Sequence, residues 1–231
     1  MTLEFLSTLE KLDISLPKQA FEQLDTLCQL LLEKNKLINL TALKTLREVE
    51  LRHFADSIIQ TKFADFSGKT VIDIGTGAGF PGLPIKIAVP DIHLTLLESL
   101  QKKTDVVLEF CAHLGLTNCQ AVCGRAEEHV SLCREQFDIS VSRAVAPLNI
   151  LLELCMPYVK PGGCFLAMKG GGYKQELDAS ANAIKALGGQ LDTVHTYTID
   201  QVDFFTVVIQ KKCETPNIYP RKYAKICKNP L

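Results

Sequence analysis

No stretch of this 231-residue chain approaches the roughly 18 consecutive apolar residues that a membrane-spanning helix requires. Nor does it open with a basic and then apolar leader, because Glu4 precedes any lysine. A soluble, cytoplasmic protein with no membrane association is the expectation. Charge of one sign is lacking too: 25 Lys and Arg stand against 26 Asp and Glu, so composition does not announce a nucleic-acid binder. Internal repeats and low-complexity tracts are missing. At 47% hydrophobic and 22% charged residues, global disorder is excluded, and the length suffices for one substantial core with a small appendage. Nine cysteines is an odd count that argues against a complete disulfide framework. Several lie in apolar runs, where a reduced thiol packs as a small hydrophobe. Cys119 and Cys123 are four apart on a predicted strand with nothing nearby to complete a ligand set, so no metal is expected.

What is present is order along the chain. Residues 1–66 read as a helical extension: Phe21, Leu24, Leu27, Cys28, Leu31 and Leu32 recur at helical spacing after Pro17, and Val49, His53, Phe54 and Ile58 can share a second helical face. From Lys69 the rhythm becomes strand, glycine turn, helix. Strands are predicted at Val71–Ile74, Ile92–Leu97, Cys119–Cys123, Phe137–Val141 and Cys164–Met168, the last after a break at Pro161-Gly-Gly163. Helices are predicted between them and at Gln175–Leu187, with a closing antiparallel pair near Leu191–Thr198 and Phe204–Ile209. Such alternation calls for a mainly parallel sheet covered on both faces, an α/β Rossmann-like fold over residues 67–231. Right-handed crossovers then leave the C-terminal strand ends free for ligands.

The sharpest local signal is Asp73-Ile-Gly75-Thr-Gly77-Ala-Gly79-Phe80-Pro81-Gly82. Read from Gly77 to Gly82 it contains the dinucleotide spacing, which needs a pyrophosphate over a helix N-terminus. Its first glycine then falls late for the compact turn. Read from Asp73 through Gly75, Gly77 and Gly79 it resembles the first motif of the S-adenosylmethionine methyltransferases. There a strand-end carboxylate helps to hold the cofactor's ammonium group, directly or through water. Glu98, after the second strand, suits the two hydroxyls of a ribose and serves either cofactor. Ala126 and Glu127, after the third strand, suit an adenine and its exocyclic amine.

The ordered set Asn39-Leu-Thr41, Arg52-His53-Phe-Ala-Asp56-Ser57, Asp73 to Gly82, Glu98-Ser-x-x-Lys102-Lys103, Gly124-Arg125-Ala-Glu127-Glu128, Ser142-Arg143-Ala-Val and Lys169-Gly170 resembles the bacterial small-subunit ribosomal RNA guanine-N7 methyltransferases, formerly the glucose-inhibited division protein B family. The resemblance implies a seven-stranded methyltransferase fold with an N-terminal helical extension, S-adenosylmethionine as cofactor, and methylation of N7 of one guanine in the 530 loop. The RNA partner would be met within the small ribosomal subunit or an assembly intermediate. The implied cofactor residues are Asp73, Gly75, Gly77, Gly79, Phe80, Glu98, Ala126, Glu127 and Arg143.

Guanine N7 carries a lone pair and no proton, so no general base is required and catalysis is largely placement. Arg143, after strand four, is the first candidate for positioning the base, since a guanidinium presents paired donors to guanine O6 or holds a phosphate. Asn39 and Arg52 are candidates for the facing wall, and His53 for shaping the substrate face or packing in the helical region; Asn39 and His53 are the substrate-positioning candidates beside Arg143. Arg52, Arg125 and Lys169 are candidates for RNA contact. The final segment gathers Lys211, Lys212, Arg221, Lys222, Lys225 and Lys228 against only Glu214, which reads either as a phosphate-binding tail or as a solubilising terminus. Of these, Arg221, Lys222, Lys225 and Lys228 are the RNA-binding candidates. The family's basic, glycine-containing tail keeps its ends here but lacks the internal glycine. A methyltransferase acting on another substrate, or a noncatalytic ribosome-binding or assembly protein, would share the same fold.

Overall fold

The computed structural model describes residues 1–231. Its centre is one sheet of seven strands: β1 Thr70–Ile74, β2 His93–Glu98, β3 Cys119–Cys123, β4 Phe137–Arg143, β5 Val159–Lys169, β6 Gly189–Ile199 and β7 Val202–Lys211. The order across the sheet is β3-β2-β1-β4-β5-β7-β6. The first five strands run parallel, and β7 lies antiparallel between β5 and β6. The chain builds outward from β1 to β3 and then returns to β1's other side as β4. The connections leaving the C-terminal ends of β1 and β4 therefore pass to opposite faces of the sheet, through the helices Gly82–Ala88 and Leu148–Cys155, leaving the crevice in which such sheets hold ligands.

Side chains alternate across the sheet, so each strand feeds two cores. Val71 belongs to one, Ile72 and Ile74 to the other. The first is closed by α1 Leu3–Lys11, α2 Lys18–Asn35, α5 Gly82–Ala88 and α6 Gln101–His113; the second by α7 Ala126–Cys133, α8 Leu148–Cys155, α10 Ala181–Ala186 and α11 Tyr223–Lys228. Helix α2 starts behind Pro17 and buries Leu24, Leu27, Cys28 and Leu31, as their spacing predicts. The N-terminal helices share their apolar core with the sheet: Phe5, Leu27 and Phe54 sit in one cluster with Val71 and Leu94.

Three local departures from the sequence pattern have physical causes. The second helical region starts at a Thr45–Glu48 capping box and runs as α3 Leu46–Val49, but then widens into a π-helical turn, Glu50–Ala55, before α4 Asp56–Ile58. Periodicity alone cannot reveal the extra residue in that turn. Val49, Phe54 and Ile58 are fully buried while His53 faces the crevice. The predicted helix Gln175–Leu187 is two, α9 Tyr173–Asp178 and α10. The break falls where buried Ser180 donates its hydroxyl to the Glu176 carbonyl, competing with the helical ladder. Pro161-Gly-Gly163 does not stop the chain before β5 but lies within it as an irregularity in register with β4, where Gly163 approaches the Asp138 carbonyl too closely to carry a Cβ.

Candidate active site

The crevice over the ends of β1, β2 and β4 is a cleft of ≈ 970 Å³. Its floor is the loop after β1. Asp73 is fully buried beneath that loop, where its Oδ2 accepts from the Thr76 hydroxyl at 2.6 Å and from the Gly82 amide at 2.8 Å. A side chain at Gly82 would strike Leu96 and Asp73, so the loop can fold down onto its carboxylate only with glycine there. Gly75, at φ +73°, has no room either, since a Cβ would meet Val145 Cγ2 at 2.5 Å. Burial raises the Asp73 carboxyl to about 6, partly offset by the Thr76 and Gly82 hydrogen bonds.

Glu98 closes the same loop from β2. Its Oε2 accepts from the Gly77 amide at 3.0 Å and its Oε1 from the Leu100 amide at 3.0 Å. A carboxylate has about four acceptor positions, so capacity remains toward the cleft that Glu98 lines. The Asp73 Oδ1 is buried with no partner in the protein. An unpartnered buried carboxylate oxygen beneath a glycine loop, with a second acid beside it, suits a cationic, hydroxyl-bearing cofactor and not a pyrophosphate. Ala126 and Glu127, at the start of α7, line a smaller cavity of ≈ 90 Å³ that adjoins the cleft through Gly75, Ser99 and Val145.

The facing wall is made by the π-helical turn and β4. Arg143, the last residue of β4, donates from Nη1 to Asp56 Oδ2 at 2.8 Å and to the Arg52 carbonyl at 3.0 Å, and from Nη2 to His53 Nδ1 at 2.7 Å. His53 in turn stacks on Phe80 with ring centroids 4.3 Å apart, and the Arg143 guanidinium lies 5.6 Å from the same Phe80 ring. Burial and the neighbouring guanidinium depress the His53 imidazole to about 3, so it is neutral at physiological pH. Asp56 is held from behind: its Oδ1 accepts from the Tyr197 hydroxyl at 2.8 Å, and Tyr197 accepts from Gln60, which accepts from Thr206. A buried, fully paired network thus ties Arg143 to β6 and β7. After Arg143 the chain turns through Ala144 at φ +56°, a conformation uncommon for a residue with a Cβ, and passes over the cleft.

Several sequence candidates converge here and others do not. Arg52, His53, Gly75, Gly77, Phe80, Glu98, Arg143 and Lys169 all line the cleft; Asp73 and Gly79 lie beneath it. Asn39 is exposed outside the lining, and its neighbours Leu40–Leu43 form the wall instead. That wall is organised by Asn35, which reading for motifs passed over: its Oδ1 accepts from the Leu40 and Thr41 amides while its Nδ2 donates to the Thr41 carbonyl. Lys169 is drawn into the structure, its ammonium 2.8 Å from both Glu176 and the Ala146 carbonyl. Arg125 pairs with Glu127 and lies over the Tyr223 ring. Arg221, expected to face RNA, is turned inward in a bidentate pair with fully buried Glu153. A guanidinium committed to a buried acid is not free for a phosphate. Lys222, Lys225 and Lys228 remain exposed.

A Rossmann-like sheet with this acid-and-glycine loop at its switch point defines the chain as an S-adenosylmethionine-dependent methyltransferase. The fold is that of a solved S-adenosylmethionine-dependent methyltransferase from Aquifex aeolicus, with a TM-score of 0.56 at 17% identity, covering 77% of this chain and 97% of that one. TYW2 of M. jannaschii in complex with AdoMet aligns with a TM-score of 0.53 at 14% identity, covering 67% of this chain and 74% of that one. Residues 20–204 match the family described as rRNA small subunit methyltransferase G. The chain is 42% identical over 98% of its length to ribosomal RNA small subunit methyltransferase G of Lachnoclostridium phytofermentans, covering 96% of that protein, and 40% identical over 99% of its length to the Bacillus subtilis protein of the same name, covering 98% of it. The chain belongs to the small-subunit ribosomal RNA methyltransferase G family.

Proposed function

We propose that this protein transfers the methyl group of S-adenosylmethionine to N7 of one guanine in the 530 loop of small-subunit ribosomal RNA. The RNA is met within the small ribosomal subunit or an assembly intermediate, in the cytoplasm. The observation that carries this reading is the placement of the Arg143 guanidinium across the cleft from the Glu98 and glycine-loop floor. When bound, S-adenosylmethionine supplies a sulfonium-activated methyl that an unprotonated nitrogen can attack in line.

The protein's part is placement. Glu98 and the Asp73-clamped loop hold the cofactor end, with Ala126 and Glu127 toward its adenine. Arg143 and the Phe80–His53 stack flank the space where a splayed base enters. Guanine gains positive charge as N7 is methylated, and a bare guanidinium beside it would oppose that change. Asp56, 2.8 Å from Arg143, balances the charge, so Arg143 offers hydrogen-bond donors without a net cation against the base. No side chain is needed to remove a proton, because guanine N7 carries none. Exposed Arg52 at the cleft mouth and the exposed tail lysines are the phosphate contacts this reading favours.

The reading is tested by comparing methyl transfer to small subunits lacking their native modifications with transfer to the same RNA stripped of protein. Transfer to the ribonucleoprotein with little to free RNA supports it; transfer only to protein or to small molecules contradicts it.

A further inference from the structure

The C-terminal segment, which its charge suggests is an RNA arm, is anchored to the body at successive points. Lys211 Nζ, fully buried, donates to the Met156 carbonyl at 2.8 Å and pairs with Glu135. Arg134 donates to the backbone carbonyls of Thr215 at 2.6 Å and Tyr219 at 2.9 Å. Glu153 receives the Arg221 backbone amide at 2.8 Å as well as its guanidinium. Ile226 is fully buried against the core beneath α8. A segment fixed before and after residue 223 has few conformations left to lose, so the backbone between the anchors is held in place.

What lies between them is Tyr223. It lines the ≈ 90 Å³ cavity together with Ile74, Leu97, Ala126 and Glu127, and Arg125, which lines it too, lies over the ring with the guanidinium carbon 4.6 Å from the centroid. The cavity adjoins the cleft, sharing Gly75, Ser99 and Val145 with it, and Glu98 lines the cleft side. A nucleoside whose ribose meets Glu98 therefore has this cavity beside it to receive its base. Ile74, Leu97, Val145 and Leu154 supply aliphatic surface for a purine face, and the one aromatic ring comes from the tail.

We propose that Tyr223 is a specificity-determining residue of the cofactor site: the anchored C-terminal segment supplies the wall that sizes the slot for the cofactor's purine. This rests on the assignment of the cleft to S-adenosylmethionine given above. Arg125, 4.6 Å from the Tyr223 ring centroid, then acts as a positioning residue for that wall and not as a phosphate contact.

The test is calorimetric titration of the full-length protein and of Tyr223→Ala, Tyr223→Phe and Glu98→Ala variants. The ligands are S-adenosylmethionine and its analogue carrying a benzyl group on the purine N6. Tyr223→Ala is expected to weaken S-adenosylmethionine binding by about tenfold and to bind the bulky analogue, which the unaltered protein rejects; Tyr223→Phe keeps the native pattern. A gain of affinity for the enlarged purine cannot arise from a damaged fold. Native affinity in Tyr223→Ala, with the bulky analogue still rejected and Glu98→Ala weakened, overturns the wall while leaving the cofactor site standing. Native affinity in both Tyr223→Ala and Glu98→Ala overturns the site assignment and this inference with it.

Discussion

Arg143 Nη2 lies 2.7 Å from His53 Nδ1, and because a guanidinium can only donate, that nitrogen of His53 is an acceptor. The imidazole proton is therefore on Nε2, 2.9 Å from the Thr41 hydroxyl oxygen. His53 is a neutral spacer between the cleft wall at Thr41 and Arg143.

With the imidazole depressed to about 3, its protonation lies below the working range of the enzyme. At saturating S-adenosylmethionine, kcat should be level from pH 6.5 to 9 with no limb from His53. His53→Asn should lower kcat by roughly tenfold, less than the loss of about 10²–10⁴ expected on removing a general base. Steady-state methyl transfer across pH separates the two.

Arg143→Ala should reduce kcat by on the order of 100-fold while changing S-adenosylmethionine affinity much less, since the residue is assigned mainly to the substrate base. It also leaves buried Asp56 without its cation, so a thermal melt must accompany the kinetics. Equal losses in turnover and cofactor affinity would move Arg143 to the cofactor.

Asp73 gives a pH signature of its own. Its folded-state carboxyl stands at about 6, above the ordinary 3.8. The stability carried by the neutral form is therefore present below the ordinary value and lost as pH rises through about 6. Cofactor binding should run the other way on the role proposed for Asp73, in which the ionised form attracts the ammonium group. S-adenosylmethionine affinity should fall by about tenfold between pH 7 and pH 5, and Asp73→Asn should be weaker at pH 7 and flat across that range. Calorimetry at three pH values checks both.

Arg52 is exposed at the cleft mouth and engages its neighbours through its carbonyl, not its guanidinium. Arg52→Ala should weaken binding to the RNA substrate, reduce the salt dependence of that binding by about one unit of slope, and leave S-adenosylmethionine affinity unchanged. A salt series measured by filter binding provides the comparison.

The fold was legible because a parallel sheet needs near-continuous apolar strands and glycine turns, and Val71–Ile74 followed by Gly75, Gly77 and Gly79 states both. Asp73, Glu98 and Arg143 could be placed for the same reason: each lies at or next to the C-terminal end of a strand, and in a parallel sheet those ends share one edge. What stayed hidden depends on contacts distant in sequence. Nothing local to Arg221 announces Glu153, 68 positions away, so an inward-facing ion pair reads as an exposed cation. Tyr197, 141 positions from Asp56, reads as one more alternating strand residue. Asn35 had a local signal, a polar residue closing α2 ahead of the Leu40–Leu43 loop, and its side chain is what shapes that loop.

The most direct test of the central claim is to incubate the purified protein with methyl-labelled S-adenosylmethionine and unmodified small ribosomal subunits, then map the labelled nucleotide. The account predicts label at N7 of a single guanine in the 530 loop, lost with Arg143→Ala although that variant still binds the cofactor. Label at another position or atom, or cofactor binding with no transfer to the subunit, would contradict it.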